Sequence, residues 1–244
     1  MIQNSFIFLD KVSYKKEQNF WKQGVKTWDD FLLKQKIKGI SQSTKKQYDV
    51  AIRLAKLNLI YNNVSFFTEL LKPKETWRLY NLYKNEALYL DIETSGWDIT
   101  VIGMYNKTMK QFVKNISMDK KEILREIYKH KLIITFNGSS FDLPMINRFL
   151  KHEIKLPHID LRHVCTRIGL KGGLKAIEKQ LKIKRNNKIE SMLGNEAVYC
   201  WELWQHTKNR KYLELLLKYN KADTVNLKPL ADFAVERLWK TLKS

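Results

Sequence analysis

Two cysteines, Cys165 and Cys200, are all that this 244-residue chain contains, and they lie far apart. They allow neither a disulfide framework nor a cysteine-based zinc site, so a reducing, cytoplasmic setting is expected. The five histidines, His130, His152, His158, His163 and His206, show no zinc spacing either. No apolar run approaches the roughly 20 residues that span a bilayer, so no membrane segment is expected. Met1–Asp10 has an apolar patch but no basic leader or cleavage site, and no signal peptide is read there. No Pro/Gly/Ser-rich linker and no internal repeat divides the chain. Acidic residues are scarce: 25 Asp and Glu against 45 Lys and Arg give a net charge of +20. Such an excess fits either a highly soluble surface or a polyanion partner, because Lys and Arg that neutralise phosphates release counterions. What the chain does have is core material: 44% hydrophobic and 12% aromatic residues are ample for a packed interior.

The chain is organised around Leu88-Tyr89-Leu90-Asp91-Ile92-Glu93-Thr94-Ser95-Gly96. Leu88, Leu90 and Ile92 alternate with Tyr89, Asp91 and Glu93, which reads as a strand with one apolar face. Asp91 and Glu93 share the other face, roughly 7 Å apart along the strand. Two such carboxylates repel each other when partly buried. A Lys or Arg pairs with them, a divalent cation lies between them, or the face is open to solvent.

Residues 1–84 read as short helices at Glu17–Trp21, Thr27–Gln35, Thr44–Leu59 and Ser65–Leu71, with Thr27 a candidate N-cap. Lys38-Gly39-Ile40-Ser41 before Thr44-Lys45-Lys46 loosely matches the turn of a helix-hairpin-helix element, and Val12-Ser13 before Lys15-Lys16 echoes it more faintly. The usual second glycine is missing at both. The alternative is a small helical cap packed on the neighbouring domain. From residue 85 the pattern turns to β structure. Leu88–Glu93, Ile99–Asn106 and Gln111–Ile116 form an expected antiparallel meander. Ser117 is expected to cap a helix over Met118–His130. A buried strand at Lys131–Phe136, a helix over Phe141–Lys151 and a strand at His158–Leu161 come next. From Leu174 the chain reads as helical: Leu174–Leu181, Glu196–His206 and a long run from Arg210 to about Leu242. The order βββαβαβα is the layout of the ribonuclease H-like fold: an α/β fold with a mixed five-stranded sheet flanked by helices, here carrying an N-terminal helical region at 1–84 and the domain at 85–244.

Two further motifs hold acids. Asn137-Gly138-Ser139-Ser140-Phe141-Asp142 leaves a strand and opens a helix, which puts Asp142 in a first turn where the helix dipole favours an anion. Asn137 sits at the strand end, placed to donate to a substrate or orient a ligand, and Phe141 either stacks on a base or packs in the core. Tyr219-Asn220-Lys221-Ala222-Asp223 lies in the long C-terminal helix, where Tyr219 and Asp223 share one face. They form either a simple Tyr–Asp pair or part of a larger polar site.

Taken together, Asp91 and Glu93, then Asn137, Phe141 and Asp142, then Tyr219 and Asp223 resemble the three motifs of the DEDD exonuclease superfamily in its tyrosine variant. The histidine variant would need His where Lys218 stands. The wider chain resembles the YprB-like ribonuclease H-like family, through Thr27-Trp28-Asp29-Asp30-Phe31, Trp77-Arg78-Leu79-Tyr80, Gly173-Leu174-Lys175 and the Tyr219–Asp223 motif. By motif, the well-understood relatives are the proofreading domains of DNA polymerases. The resemblance implies two divalent cations, Mg²⁺ or Mn²⁺, held by Asp91, Glu93, Asp142 and Asp223. It implies a Tyr219 hydroxyl that orients water, because a phenol is a poor base at neutral pH. It implies 3′–5′ exonucleolytic hydrolysis of single-stranded DNA to 5′-mononucleotides. Thr94, Asn137, Phe141, Lys171 and Lys175 are the expected nucleic-acid contacts, the last two in the basic run from Lys171 to Lys188. Asp160 is expected to support the site rather than bind metal, and Trp97, past the turn glycine, is a candidate for base stacking. Other readings of the same residues are a structure-selective endonuclease, an RNA exonuclease, or a nucleic-acid-binding module with a vestigial site. Protein partners cannot be read from the residues.

Overall fold

In the computed structural model, residues 1–186, 189, 192 and 194–243 are described. Among these, five strands make one mixed sheet: β1 (Ala87–Ser95), β2 (Asp98–Tyr105), β3 (Met109–Val113), β4 (Leu132–Thr135) and β5 (His158–Asp160). Their order is β3-β2-β1-β4-β5, with β1, β2 and β3 antiparallel and β4 and β5 added parallel. The meander and the two later strands expected from the sequence are therefore present, with β1 running two residues past Glu93. The β1–β2 turn is Gly96-Trp97, and Gly96 adopts φ +59, a region open to glycine. A bulge lies between Glu93 and Thr94, where Thr100 is the extra residue on β2.

The two faces of β1 go to different cores. Leu88, Leu90 and Ile92 pack with Ile123 and Ile127 of α6 (Lys120–Ile127) and Met145 and Ile146 of α7 (Asp142–Leu150). Ala87 and Tyr89 face the opposite layer, which includes Leu227, Leu230 and Ala234 of the C-terminal helix. Asp91 and Glu93 continue this second face. Helix α6 is capped by Asp119, whose carboxylate accepts the Glu122 N–H at 2.8 Å, and not by Ser117. Ser117 instead turns its hydroxyl back to accept the Val113 N–H.

The N-terminal helices are α1 (Tyr14–Lys22), α2 (Trp28–Leu33), α3 (Gln42–Ile60) and α4 (Val64–Leu70), with a 3-10 stretch, Pro73–Leu79, and the short α5 (Tyr80–Tyr83) after them. Thr27 caps α2 in a reciprocal capping box with Asp30. Lys38–Ser41 lies between α2 and α3, with Ser41 capping α3, whereas only a 3-10 turn precedes Val12-Ser13. Phe6, Phe20, Phe31, Trp28 and Trp77 form the interior of this layer. A buried ion network underlies it: Arg78 pairs with Glu17 and Glu75, each at 2.9 Å. Trp239 packs on Trp21 and Trp77 with ring centroids 5.7 and 6.1 Å away, fastening the layer to the C-terminal helix.

Beyond β5 come α8 (Leu161–Arg167), α9 (Leu174–Gln180) and α10 (Gly194–Thr207). The last helix is α11 (Arg210–Lys243), a 34-residue helix that crosses β1 and β2. Helix α8 is not among the helices expected from the sequence. It is capped by Asp160, and its apolar residues Leu161, Val164 and Cys165 are buried. Cys165 and Cys200 are both buried and free. No helix among the described residues is long and apolar enough to cross a membrane.

Candidate active site

Helix α11 approaches β1 closely because Gly103 lies opposite Asp91 in the β1–β2 register. A β-carbon at Gly103 would fall 2.4 Å from both Asn220 Oδ1 and Thr224 Oγ1, so only glycine admits the helix at this depth. Asn220 is fully buried in the space so created. Its Nδ2 donates to the Asp91 carboxylate at 3.0 Å, while its Oδ1 accepts from Gln111 Nε2 at 3.0 Å. Gln111 Nε2 also donates to the Leu217 carbonyl at 2.9 Å. A hydrogen-bonded line thus runs from β3 through α11 to the strand acid.

The same approach brings Asp223 to the strand. Carboxylate oxygens of Asp91, Glu93 and Asp223 all lie within 4.8 Å of one another. Asp142, buried at the start of α7, sits beside them, its Oδ1 accepting the Ile92 N–H at 3.2 Å. Burial raises the Asp91 carboxyl well above the usual range, and the charges of Asp223, Glu93 and Asp142 add to this. Glu93 is raised in the same way by burial and by Asp223. Burial pushes Asp142 up to about 7. Asp223 is raised by burial against the opposing pull of Arg185, Lys175 and the Tyr219 hydroxyl. One Glu93 oxygen is buried without a hydrogen-bond partner. Crowded hard oxygens, an orphaned carboxylate oxygen and mutual repulsion are what a divalent cation relieves, so the residues present fit such an ion.

Tyr219 lies one helical turn before Asp223 and is buried, and burial, together with the charges of Asp223 and Glu93, raises its hydroxyl far from any role as a base. Lys175, expected as a nucleic-acid contact, lies beside Tyr219 within the site. Its Nζ sits 4.5 Å from the Tyr219 ring centroid and is buried without a hydrogen-bond partner. Burial lowers its pKa and Asp223 opposes that. Lys171 is exposed and lines an open groove of about 580 Å³ with Asn137, Arg162, Thr166 and Gly172-Gly173.

Asn137 opens the turn after β4 in left-handed backbone, φ +68, and its Oδ1 accepts from Arg162 Nη1 at 2.5 Å and Ser140 Oγ at 3.1 Å. Asp160 ties the turn from below: its carboxylate accepts the Asn137 N–H at 2.7 Å and both the N–H and hydroxyl of Ser139. Burial alone would raise the Asp160 carboxyl, but the Ser139 hydroxyl and the surrounding N–H groups hold it below the usual range. Asp160 is thus engaged by the turn and by the cap of α8. Phe141, just before α7, is 42% exposed. Thr94 stands at the bulge, half-buried. Trp97 is 79% exposed at the β1–β2 turn, with the Arg148 guanidinium 5.2 Å from its ring.

Four residues around the acids carry no role in the sequence motifs: Asn220 and Arg185, which contact them, Gly103 opposite Asp91, and Glu178, which holds Arg185. Arg185 pairs with both Asp223 and Glu178. The one signal in the sequence is Asn220, a polar residue amid the apolar stripe of a long helix, which requires a buried partner.

Residues 88–235 match the family model of the RNase H superfamily, a span that includes every acid of the site. Neither a search of curated proteins nor a search of solved structures returns a significant match.

Proposed function

We propose that this chain, which belongs to the ribonuclease H superfamily, is a divalent-metal-dependent nuclease that releases 5′-mononucleotides from the 3′ end of single-stranded DNA. The convergence of Asp91, Glu93 and Asp223 within 4.8 Å, with Asp142 against the same strand, carries this reading. Asp91, Glu93, Asp142 and Asp223 would hold two Mg²⁺ or Mn²⁺ ions, which when bound supply an activated water and neutralise charge on the scissile phosphate. Asn220 fixes the carboxylate of Asp91, one of the four acids that would hold the ions. Tyr219 keeps its proton, so it orients the attacking water by donating a hydrogen bond or accepting one. Water adds to phosphorus, the P–O3′ bond breaks, and the 3′ oxygen of the preceding nucleotide leaves with a proton.

The substrate-facing residues in this reading are Thr94 and Phe141 at the mouth of the site, Asn137 at the turn, and Lys171 and Lys175 on the α9 side. The groove that Lys171 shares with Arg162 offers cations to a phosphodiester chain. The division into a helical appendage at 1–84 and a nuclease domain at 85–244 belongs to the same proposal. The 3′–5′ direction and the preference for DNA rest on the likeness of the three acidic motifs to tyrosine-type DEDD exonucleases. A binding module with a vestigial site fits poorly, because four anionic groups facing a phosphate chain weaken binding unless cations accompany them.

End-labelled linear and circular single-stranded DNA, with matching RNA, tests the proposal in Mn²⁺ or Mg²⁺. Expected is shortening of linear DNA from the 3′ end with circles left intact. Cut circles would establish an endonuclease, faster loss of RNA would reassign the substrate, and no cleavage in either metal would refute the nuclease reading.

A further inference from the structure

Arg185 is the least expected member of the site. It lies beyond α9 in sequence, its side chain is only 4% exposed, and it is shared by two carboxylates. Nη1 pairs with Asp223 Oδ1, and Nε pairs with Oε2 of Glu178, itself buried on α9. Nη2 has no partner among the described residues. A guanidinium buried at this depth is stable only beside anions, and here one of its two anions is an acid that the metal centre also needs. A monovalent cation fixed on a ligand oxygen and a divalent ion at the same carboxylate exclude or repel each other.

On the metal-site reading of the four acids, we infer that Arg185 is a positioning residue: a built-in cation that competes with the divalent ion for Asp223 and thereby sets the metal affinity of the site. Glu178 is what makes the exchange possible. It retains the guanidinium when Asp223 turns to the metal, so the charge never has to leave the protein interior. In the metal-free protein the arginine offsets part of the repulsion among Asp91, Glu93 and Asp223. When an ion enters, that role passes to the ion, and the unpartnered Nη2 remains beside the site on the Glu178 anchor.

The two anchors give opposite expectations, which a purely structural role does not. Chelator-stripped protein is titrated with MnCl₂ alone by calorimetry, without nucleic acid, for the parent, Arg185→Gln, Arg185→Lys and Glu178→Gln, with circular dichroism to confirm folding. Arg185→Gln is expected to bind Mn²⁺ about tenfold tighter or more, since an adjacent positive charge is gone. Arg185→Lys is expected to stay near the parent. Glu178→Gln is expected to bind more weakly, because the guanidinium then rests on Asp223 alone. Folded Arg185→Gln with unchanged or weaker affinity overturns the inference, as does Glu178→Gln shifting toward tighter binding. Should Arg185→Gln not fold, the Glu178→Gln result decides by the same sign. A parent that binds no Mn²⁺ overturns the metal-site reading itself and the inference with it. A parent that binds, with no tightening in Arg185→Gln, overturns the inference alone.

Discussion

Asn220 of the C-terminal helix donates to the Asp91 carboxylate at 3.0 Å across the seam between helix and strand. The amide is itself oriented by Gln111, so the position of the central acid is set by three elements far apart in sequence. A carboxylate surrounded by other carboxylates has no reason to stay in one rotamer unless a donor fixes it. Asn220 is that donor.

Asn220→Ala removes the fixing group and leaves the Gln111 amide one acceptor short. Unfolding stability is expected to fall by about 1–3 kcal/mol, the cost of unmade buried hydrogen bonds. Cleavage is expected to fall roughly 10–100-fold, the usual effect of losing a group that orients a metal ligand. Urea unfolding alongside Mn²⁺-dependent cleavage measures both. Full activity in a folded Asn220→Ala protein would show that Asp91 needs no orientation.

Gly103→Ala places a methyl 2.4 Å from two buried polar atoms of the helix. The helix must shift outward, and a loss of about 1–3 kcal/mol is expected from the overpacking, with cleavage reduced as Asn220 and Asp223 retreat. Gly96→Ala is the contrasting control. It meets nothing within 4 Å, and its cost comes from φ +59 alone, about 1–2 kcal/mol. Thermal and urea unfolding of the two variants should rank accordingly, with only Gly103→Ala also impairing cleavage.

Arg78→Ala tests the N-terminal layer independently of the site. Among the described residues, it strips the only paired cation from buried Glu17 and leaves buried Glu75 with Arg167 alone, at 3.6 Å. Uncompensated buried charge of this kind costs about 3–5 kcal/mol, so the variant should unfold at much lower urea concentration than the parent. A shift of less than about 1 kcal/mol, the range of exposed pairs, would mean that the network is open to water.

Acidity and metal should be linked. Asp142 titrates at about 7 because burial raises it, so its proton is bound more tightly in the folded than in the unfolded chain. The associated stability is complete below the ordinary carboxylate value and is lost as pH rises toward 7. Asp91 and Glu93 shift in the same direction. His158 acts oppositely: burial lowers it to about 4, so it costs stability as pH falls below its ordinary value. Comparing parent with Asp142→Asn cancels the histidine. The metal-free parent should lose stability relative to Asp142→Asn between about pH 4 and 7. Saturating Mn²⁺ should restore it in the parent, because a bound ion stabilises the ionised carboxylates. Melting temperatures across that range, with and without Mn²⁺, supply the measurement.

The strand acids were legible because alternation fixes which face a side chain takes, and Asp91 and Glu93 obey it. The meander, β4, β5 and the long C-terminal helix were legible for the same reason of period. Helix α8 is not legible although Leu161, Val164 and Cys165 carry helical spacing, since its signal is shorter than two full turns. The cap at Asp119 is not legible because Ser117 is an equally good capping residue two positions earlier. Asn220 signals a buried partner without naming it, and Gly103, Glu178 and Arg185 carry no such signal. Each depends on how deeply one helix packs on one strand, a distance that no local pattern encodes. Lys175 shows the same limit: a basic run reads as surface, and only packing reveals that one of its members lies over Tyr219.

The most direct measurement is Mn²⁺-dependent release of mononucleotides from 3′-terminated single-stranded DNA by the parent and by Asp91→Asn. The substitution keeps the shape and removes the charge at the acid that Asn220 holds. Expected is robust release by the parent and none above background by Asp91→Asn, with salt-sensitive DNA binding retained by both. Equal cleavage by the two proteins would contradict a metal centre built on Asp91, Glu93, Asp142 and Asp223.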